Sequence, residues 1–308
     1  MQVNVLSSAK YYCLKQNLLK ANPSFKDVGI EYQRFPDGER YFRIKDYKKI
    51  SGNPAVYICG TVDDEAILEA YNMSCALVRE GCSSLHLVIP YFGYSTMERA
   101  VKEGEIVSAK NIAHLFSSIP LSAQGNYIYM VDLHSLGIQY YFEENIHTVH
   151  LTTEPIIDKM IADIKQKKKN IVLASTDMGR AKWVEKISLR LGISGAYIMK
   201  KRISGSETVV EALNADVKGK DVIIFDDMIR SGSSIIHAAE AYKSIGAKDI
   251  YVICVHGIFV KGAVENLKKS KVIKGIYCTN THVNTEIITD DFVHVYDMSS
   301  VISEGLKL

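Results

Sequence analysis

The segment Phe225-Asp226-Asp227-Met228-Ile229-Arg230-Ser231-Gly232-Ser233-Ser234 carries the densest chemistry in the 308 residues. Two adjacent carboxylates follow an apolar run, and a Ser-Gly-Ser-Ser turn leads into a helical pattern. Beyond the carboxyl end of a buried strand, such a turn offers unpaired backbone N–H groups and hydroxyls. With the dipole of the following helix these make an anion site. Asp226 and Asp227 can accept hydrogen bonds from vicinal hydroxyls. A phosphate held by Arg230, Ser231, Gly232, Ser233 and Ser234, with a diol on the acid pair, describes a ribose 5-phosphate. The competing reading is a capped helix after a turn, since Ser and Asp are ordinary cap residues.

The elements that would position this loop follow a regular rhythm. Ala55–Cys59, Ser84–Pro90, Tyr127–Asp132, Ile171–Ser175, Asp221–Phe225 and Ile250–Val255 are short apolar runs suited to buried parallel strands. Helical patterns cover Asp63 to about Glu80, Ser108–Ser117, Arg180–Leu191 and about Ser234–Ile245. Ala196–Met199 reads as strand, and Lys200 to about Glu207 as a polar, mobile loop. Alternation of strands and helices predicts an α/β architecture with right-handed crossovers. The length predicts about two domains.

The bulk numbers exclude several function classes. A net charge of +2 gives no field that draws the whole molecule to nucleic acid or an anionic membrane. No apolar run approaches the roughly 20 residues of a membrane span, and the N-terminal residues lack a signal-peptide pattern. A soluble, cytoplasmic protein is expected. The six cysteines lack metal or redox spacing, and Cys59 and Cys254 sit in strand-like runs where a thiol is a small buried hydrophobe. The run Lys165–Lys169 has no interleaved aromatics, so a solvated helix end is expected rather than a nucleic-acid site.

The loop resembles the ribose-phosphate loop of the phosphoribosyltransferase fold. From about residue 5 onward the chain is similar to the ribose-phosphate diphosphokinase family. Four further stretches match in order: Arg34-Phe35-Pro36-Asp37-Gly38-Glu39, Ile89–Tyr94, Val131-Asp132-Leu133-His134 and Ser175-Thr176-Asp177-Met178-Gly179. Lys200 lies 26 positions before Asp226, as the resemblance requires. The resemblance implies an α/β protein of two phosphoribosyltransferase-like domains, each a mainly parallel sheet flanked by helices. The first domain would cover 1–147, completed by 287–308, and the second 148–286.

The implied activity is Mg²⁺-dependent transfer of a pyrophosphoryl group from ATP or another nucleoside triphosphate to the 1-hydroxyl of ribose 5-phosphate. The resemblance makes Lys200, Arg202 and His134 catalytic, and Phe35, Asp37, Glu39 and Arg99 nucleotide-binding. It gives Asp177 a ribose or metal-linked role, with His134 beside the Mg²⁺–triphosphate. For Asp177 the competing reading is an N-cap, and for Pro36-Asp37-Gly38 a plain hairpin turn. In the family the nucleotide loop comes from a neighbouring subunit, which implies a homo-oligomer built from dimers, such as a hexamer, or a trimer.

Departures are informative. Thr96 and Met97 stand where common members carry arginine and glutamine, Arg230 replaces an acidic residue, and Ser233 and Ser234 replace Gly and Thr. Ser95–Arg99, Phe116–Pro120 and His256–Phe259 resemble the plant-type class II subgroup, which implies relaxed donor choice and weaker control by phosphate and ADP. Arg230 also opens a larger acceptor such as ADP-ribose. A phosphoribosyltransferase and a catalytically silent regulatory homologue are the alternatives.

Overall fold

The computed structural model describes residues 2–143, 145–204, 207–213 and 216–308, with side chains described outside 198–215. The chain divides into two compact units: 1–153 with 281–283 and 297–308, and 154–280 with 284–296.

In the first unit, strands β1 (Val3–Ser7), β2 (Phe25–Asp27), β5 (Ala55–Ile58), β6 (Leu85–Ile89), β7 (Asn126–Val131) and β8 (Ile146–Leu151) form one sheet. Its order is β2-β1-β5-β6-β7-β8, with every neighbouring pair parallel. Strands β3 (Ile30–Arg34) and β4 (Arg40–Ile44) form a separate antiparallel hairpin. Helices α1 (Tyr12–Ala21), α2 (Asp64–Arg79) and α3 (Ser108–Ser117) cover the sheet. Asp63 caps α2 by accepting the Ala66 N–H at 2.8 Å. Leu85, Leu87 and Ile89 pack in one core with Met73, Leu77, Ile112 and Phe116, the period-2 and helical faces meeting as burial requires.

In the second unit, β9 (Ile171–Ser175), β10 (Ser194–Ala196), β13 (Asp221–Ile229), β14 (Ile250–Gly257), β15 (Gly275–Thr279) and β16 (Val293–Tyr296) form another sheet. The order is β10-β9-β13-β14-β15-β16, again parallel throughout. Helices α4 (Glu154–Lys167), α5 (Ala181–Leu191), α6 (Ser233–Ser244) and α7 (Ala263–Lys269) belong to this unit. From β9 the chain steps outward to β10, then returns to place β13 on the other side of β9. That reversal leaves a crevice beyond the carboxyl ends of β9 and β13, where open α/β sheets bind ligands. The fold is therefore α/β, with two parallel sheets flanked by helices.

Three sequence expectations are corrected here. The acid pair was expected in the loop after a strand ending at Phe225. Instead β13 continues to Ile229, because Met228 and Ile229 pair with His256 and Gly257 of β14. The polar loop expected from Lys200 is largely strand: β11 (Ile198–Ser204) pairs antiparallel with β12 (Glu207–Leu213), whose Thr-Val-Val run supplies β-prone partners. The lysine run is not wholly solvated, since Lys168 reaches Asp249 at 2.7 Å and Asp221 at 3.8 Å.

The C-terminal region serves both units. β16 pairs with β15, whereas α8 (Ser299–Gly305) lies with α1, tied by Asn17 to Asp297 at 2.9 Å and by Asn22 to Ser303. The division between units falls after Thr153 because β8 runs on to Leu151 in the first sheet. Cys59 and Cys254 are buried, as expected.

His86 of β6 is buried, bonded at 2.9 Å to the Tyr129 hydroxyl and 2.8 Å to the Ser84 hydroxyl, and stacked on Tyr127. Burial pushes its imidazole down to about 4. The unfolded imidazole titrates near 6.5, so both states are neutral above that pH. Below it the unfolded chain takes the extra proton, and stability falls until the folded imidazole also titrates. Denaturant unfolding is expected to lose about 1.4 kcal/mol per pH unit between roughly 6 and 4 from this group. A His86→Gln variant whose acid limb matches the parent removes that assignment.

Candidate active site

At the crevice, β9 and β13 are in register with Ser175 opposite Phe225, so the residues that follow each strand end lie side by side. The Thr176 hydroxyl donates to Asp226 Oδ2 at 3.2 Å, and the Asp227 N–H donates to Asp226 Oδ1 at 2.9 Å. Arg180 closes a single 3-10 turn, Met178–Arg180, that leads into α5. Its Nε lies 3.8 Å from Asp226 Oδ1, and its Nη2 pairs with Asp227 Oδ2. Burial and the neighbouring Asp227 charge push the Asp226 carboxyl well above the usual carboxylate range, against the pull of Arg180. The Trp183 ring stacks on Phe225, centroids 3.3 Å apart, and fixes α5 against the strand carrying the acids.

The turn after β13 is short. Arg230 and Ser231 are exposed, and Gly232 at φ +83° caps α6. A Cβ on Gly232 would lie 2.7 Å from Leu267 Cγ of α7, so both backbone conformation and packing demand glycine. The Ser231 and Ser233 hydroxyls are 3.2 Å apart, and Ser233 and Ser234 form the exposed first turn of α6. The loop backbone is clamped by Phe259 N–H on Ile229 O at 2.9 Å and Val260 N–H on Arg230 O at 3.1 Å. A rigid, glycine-capped helix start with exposed hydroxyls can hold an anion.

In the first unit, the β3–β4 hairpin presents Phe35, Asp37 and Glu39 at an exposed tip. The Phe35 N–H donates to Glu39 O at 2.8 Å, Gly38 N–H to Phe35 O at 2.9 Å, and Glu39 N–H to Asp37 Oδ1 at 3.1 Å. Gly38 has φ +98°, the conformation this turn requires. Below the tip, Arg34 Nη2 donates to both carboxylate oxygens of Glu65 at 3.0 and 2.9 Å, and Arg40 pairs with the buried Glu69 of α2. A cleft of about 390 Å³ between hairpin and helix is lined by Arg34, Glu39, Arg40 and Glu65.

Comparison with known proteins identifies the family. The N-terminal domain of ribose phosphate pyrophosphokinase matches residues 11–119, and the phosphoribosyl synthetase-associated domain matches 194–308. The chain is 34% identical over 259 residues to ribose-phosphate pyrophosphokinase of Pyrococcus furiosus, covering 82% of this chain and 86% of that protein. It is 30% identical over 307 residues to the Fusobacterium nucleatum enzyme of the same name, covering 97% and 94%. The chain belongs to the ribose-phosphate pyrophosphokinase family. Its fold is that of phosphoribosylpyrophosphate synthetase from Mycobacterium smegmatis, with a TM-score of 0.85 over 99% of this chain and 97% of that one at 23% identity.

Asp177, Asp226, Asp227 and residues 230–234 all lie at or just beyond the carboxyl ends of the neighbouring strands β9 and β13. Asp177 is exposed and does act as a cap, with Oδ1 accepting the Gly179 N–H at 2.8 Å. His134 is exposed just beyond β7. Asp132, two residues earlier at φ +32°, accepts the Thr153 N–H at 2.9 Å and so has a structural use. Arg99 is exposed, its Nε 3.7 Å from Glu98 Oε1. Lys200 and Arg202 have their backbone in β11, and their side chains lie outside the described residues. Sequence reading missed Thr176, Arg180 and the Arg40–Glu69 pair. The available signals were an arginine three residues after Asp177 and an acidic residue on the apolar face of α2. Among the described residues, no helix is long and apolar enough to cross a membrane.

Proposed function

We propose that this chain transfers a pyrophosphoryl group from Mg²⁺-bound ATP, or another nucleoside triphosphate, to the 1-hydroxyl of ribose 5-phosphate. The products are phosphoribosyl pyrophosphate and a nucleoside monophosphate. The observation that carries this reading is the acid pair of β13, Asp227 buried and Asp226 partly so, beside a glycine-capped anion loop. The N–H groups and hydroxyls of Ser231–Ser234, with Arg230 nearby, hold the 5-phosphate, and Asp226 and Asp227 accept the 2- and 3-hydroxyls. That leaves the anomeric oxygen as the nucleophile toward the β-phosphorus. Lys200 and Arg202 neutralise the charge on the transferring group, since such transfer is mostly positioning and electrostatics.

Among the described residues, no group of three or more His, Cys, Asp or Glu forms a metal cage. Mg²⁺ favours oxygen donors and binds largely through substrate phosphates and water. The exposed Asp177 carboxylate fits that donor preference. The His134 imidazole fits a hydrogen bond to phosphate or metal-held water better than direct ligation. When bound, Mg²⁺ would withdraw charge from the triphosphate oxygens.

Phe35 would stack on the donor base, with Asp37, Glu39 and Arg99 around it. Thr96 and Met97 replace side chains that would read the base and phosphates, which supports relaxed donor choice and class II membership, while a homo-oligomer in which the hairpin serves a neighbour rests on the family resemblance. A panel of ATP, GTP, CTP and UTP with ribose 5-phosphate, and no nucleobase, tests this by scoring monophosphate and product. At least two donors are expected within about tenfold in kcat/KM, a spread of about 1.4 kcal/mol, and EDTA is expected to stop turnover until Mg²⁺ is restored. No monophosphate from any donor defeats the proposal, and turnover that requires a nucleobase points to a phosphoribosyltransferase. ADP-ribose in the acceptor arm tests the Arg230 alternative; no product there removes it.

A further inference from the structure

We propose that Arg180 is a positioning residue for the acceptor sugar: its guanidinium bridges Asp226 and Asp227 and holds both carboxylates as acceptors for two vicinal hydroxyls. The inference rests on the reading of the acid pair as the diol site.

Adjacent residues on a strand normally point to opposite faces, and their acidic oxygens need a common partner to act as one site. Arg180 comes from the β9 side of the crevice and reaches both acids across the strand boundary, Nε toward Asp226 at 3.8 Å and Nη2 onto Asp227. Its own position is set twice. The Asp177 cap shapes the turn that ends at Arg180, and Trp183, three residues on, is stacked against Phe225. Thr176 and the Asp227 N–H fix the two oxygens of Asp226 from other directions.

A planar guanidinium can face two carboxylates at once, which a lysine ammonium cannot do with the same geometry. Two carboxylates this close and this shielded from water repel and favour taking up a proton, and the Arg180 cation between them opposes that. A protonated carboxyl presents an O–H where the sugar hydroxyl needs an acceptor. Arg180 therefore acts on the sugar through the acids, and a plug that merely fills the empty site would behave in the opposite way.

The test uses the full chain with Arg180→Gln and Arg180→Lys. KM and kcat for ribose 5-phosphate are measured at saturating ATP, and donor-free binding of ribose 5-phosphate is followed by the fluorescence of Trp183, the only tryptophan. Inorganic phosphate and 2-deoxyribose 5-phosphate serve as the comparison ligands. Arg180→Gln is expected to raise KM and Kd for ribose 5-phosphate about 10- to 100-fold, the effect of losing charged hydrogen bonds. Its kcat stays within about threefold, a change of under 1 kcal/mol. Phosphate binding is unchanged, the preference for ribose over 2-deoxyribose shrinks, and Arg180→Lys recovers part of the loss.

Unchanged or tighter ribose 5-phosphate binding overturns the proposal. So does an equal loss for both sugars accompanied by a lower melting temperature, which marks a structural staple. If the parent chain binds ribose 5-phosphate but makes no product with any donor, the proposed reaction fails while the binding comparison still judges Arg180. A parent chain that does not bind ribose 5-phosphate overturns both.

Discussion

Lys200→Ala and Arg202→Ala are each expected to lower kcat by about 10³-fold or more while changing the affinity for ribose 5-phosphate little. In the proposed reaction, charge is redistributed over the β-phosphoryl oxygens as the bond to the leaving monophosphate loosens. A cation that meets this charge only in the transition state raises kcat rather than ground-state binding. Lys200 pairs with Val210 and Arg202 with Thr208 in the β11–β12 ladder, so both residues are carried by paired backbone. Arg202→Lys keeps charge but loses the bidentate fork, and an intermediate rate is expected. Single-turnover monophosphate formation, with ribose 5-phosphate binding measured separately, checks this. Rates within tenfold of the parent, or a parent rate already low and insensitive to Lys200→Ala, would sink the catalytic assignment and favour a silent regulatory homologue.

The parts of the fold that were legible in the sequence are those where one local pattern decides the outcome. Ser108–Ser117 and Ile171–Ser175 coincide with α3 and β9 residue for residue, because an amphipathic face and a continuous apolar run each admit one element. The extension of β13 through Asp226, Asp227 and Met228 was not legible. Aspartate is disfavoured in strands, and only the ladder to His256 and Gly257 carries the strand onward. The Lys-Lys-Arg stretch misled for a similar reason: its polarity suggested a loop, while its partner strand lies beyond it in the chain.

The candidate site divides along the same line. Phosphate-loop residues are contiguous, so glycine, serine and the helix start announce them together. Arg180 is distant in sequence from the acids it meets, and the contact exists only because β9 and β13 are neighbours. No local pattern encodes that adjacency. The strand order that creates the crevice also creates the ion pair inside it, so the charge balance of the site is a property of topology. The β3–β4 hairpin shows the same dependence, since its tip is readable as Phe-Pro-Asp-Gly but its anchor sits on α2.

Glu69→Ala is the second change with a large expected effect, and it acts through that anchor. Glu69 is only 5% exposed, pairs with Arg40 at the start of β4 and accepts the Tyr57 hydroxyl at 3.2 Å. Burial and the Glu69 charge also push the ionisation of the nearby Tyr32 hydroxyl well up. Truncation leaves the Arg40 guanidinium without its buried partner. Because Arg40 remains partly exposed, the cost is expected at the low end for a broken buried pair, about 3 kcal/mol in chemical unfolding. Glu69→Gln keeps an acceptor for Tyr57 and should recover part of it. The functional signature is more specific than the stability loss. With its buried tie to α2 lost and only the contacts of Arg40 and Arg34 to Glu65 remaining, the tip bearing Phe35, Asp37 and Glu39 is held less firmly, so KM for ATP rises. KM for ribose 5-phosphate holds, because the acids and phosphate loop belong to the other unit. A lower unfolding midpoint with both KM values unchanged would separate the hairpin from donor binding and leave Glu69 a purely structural residue.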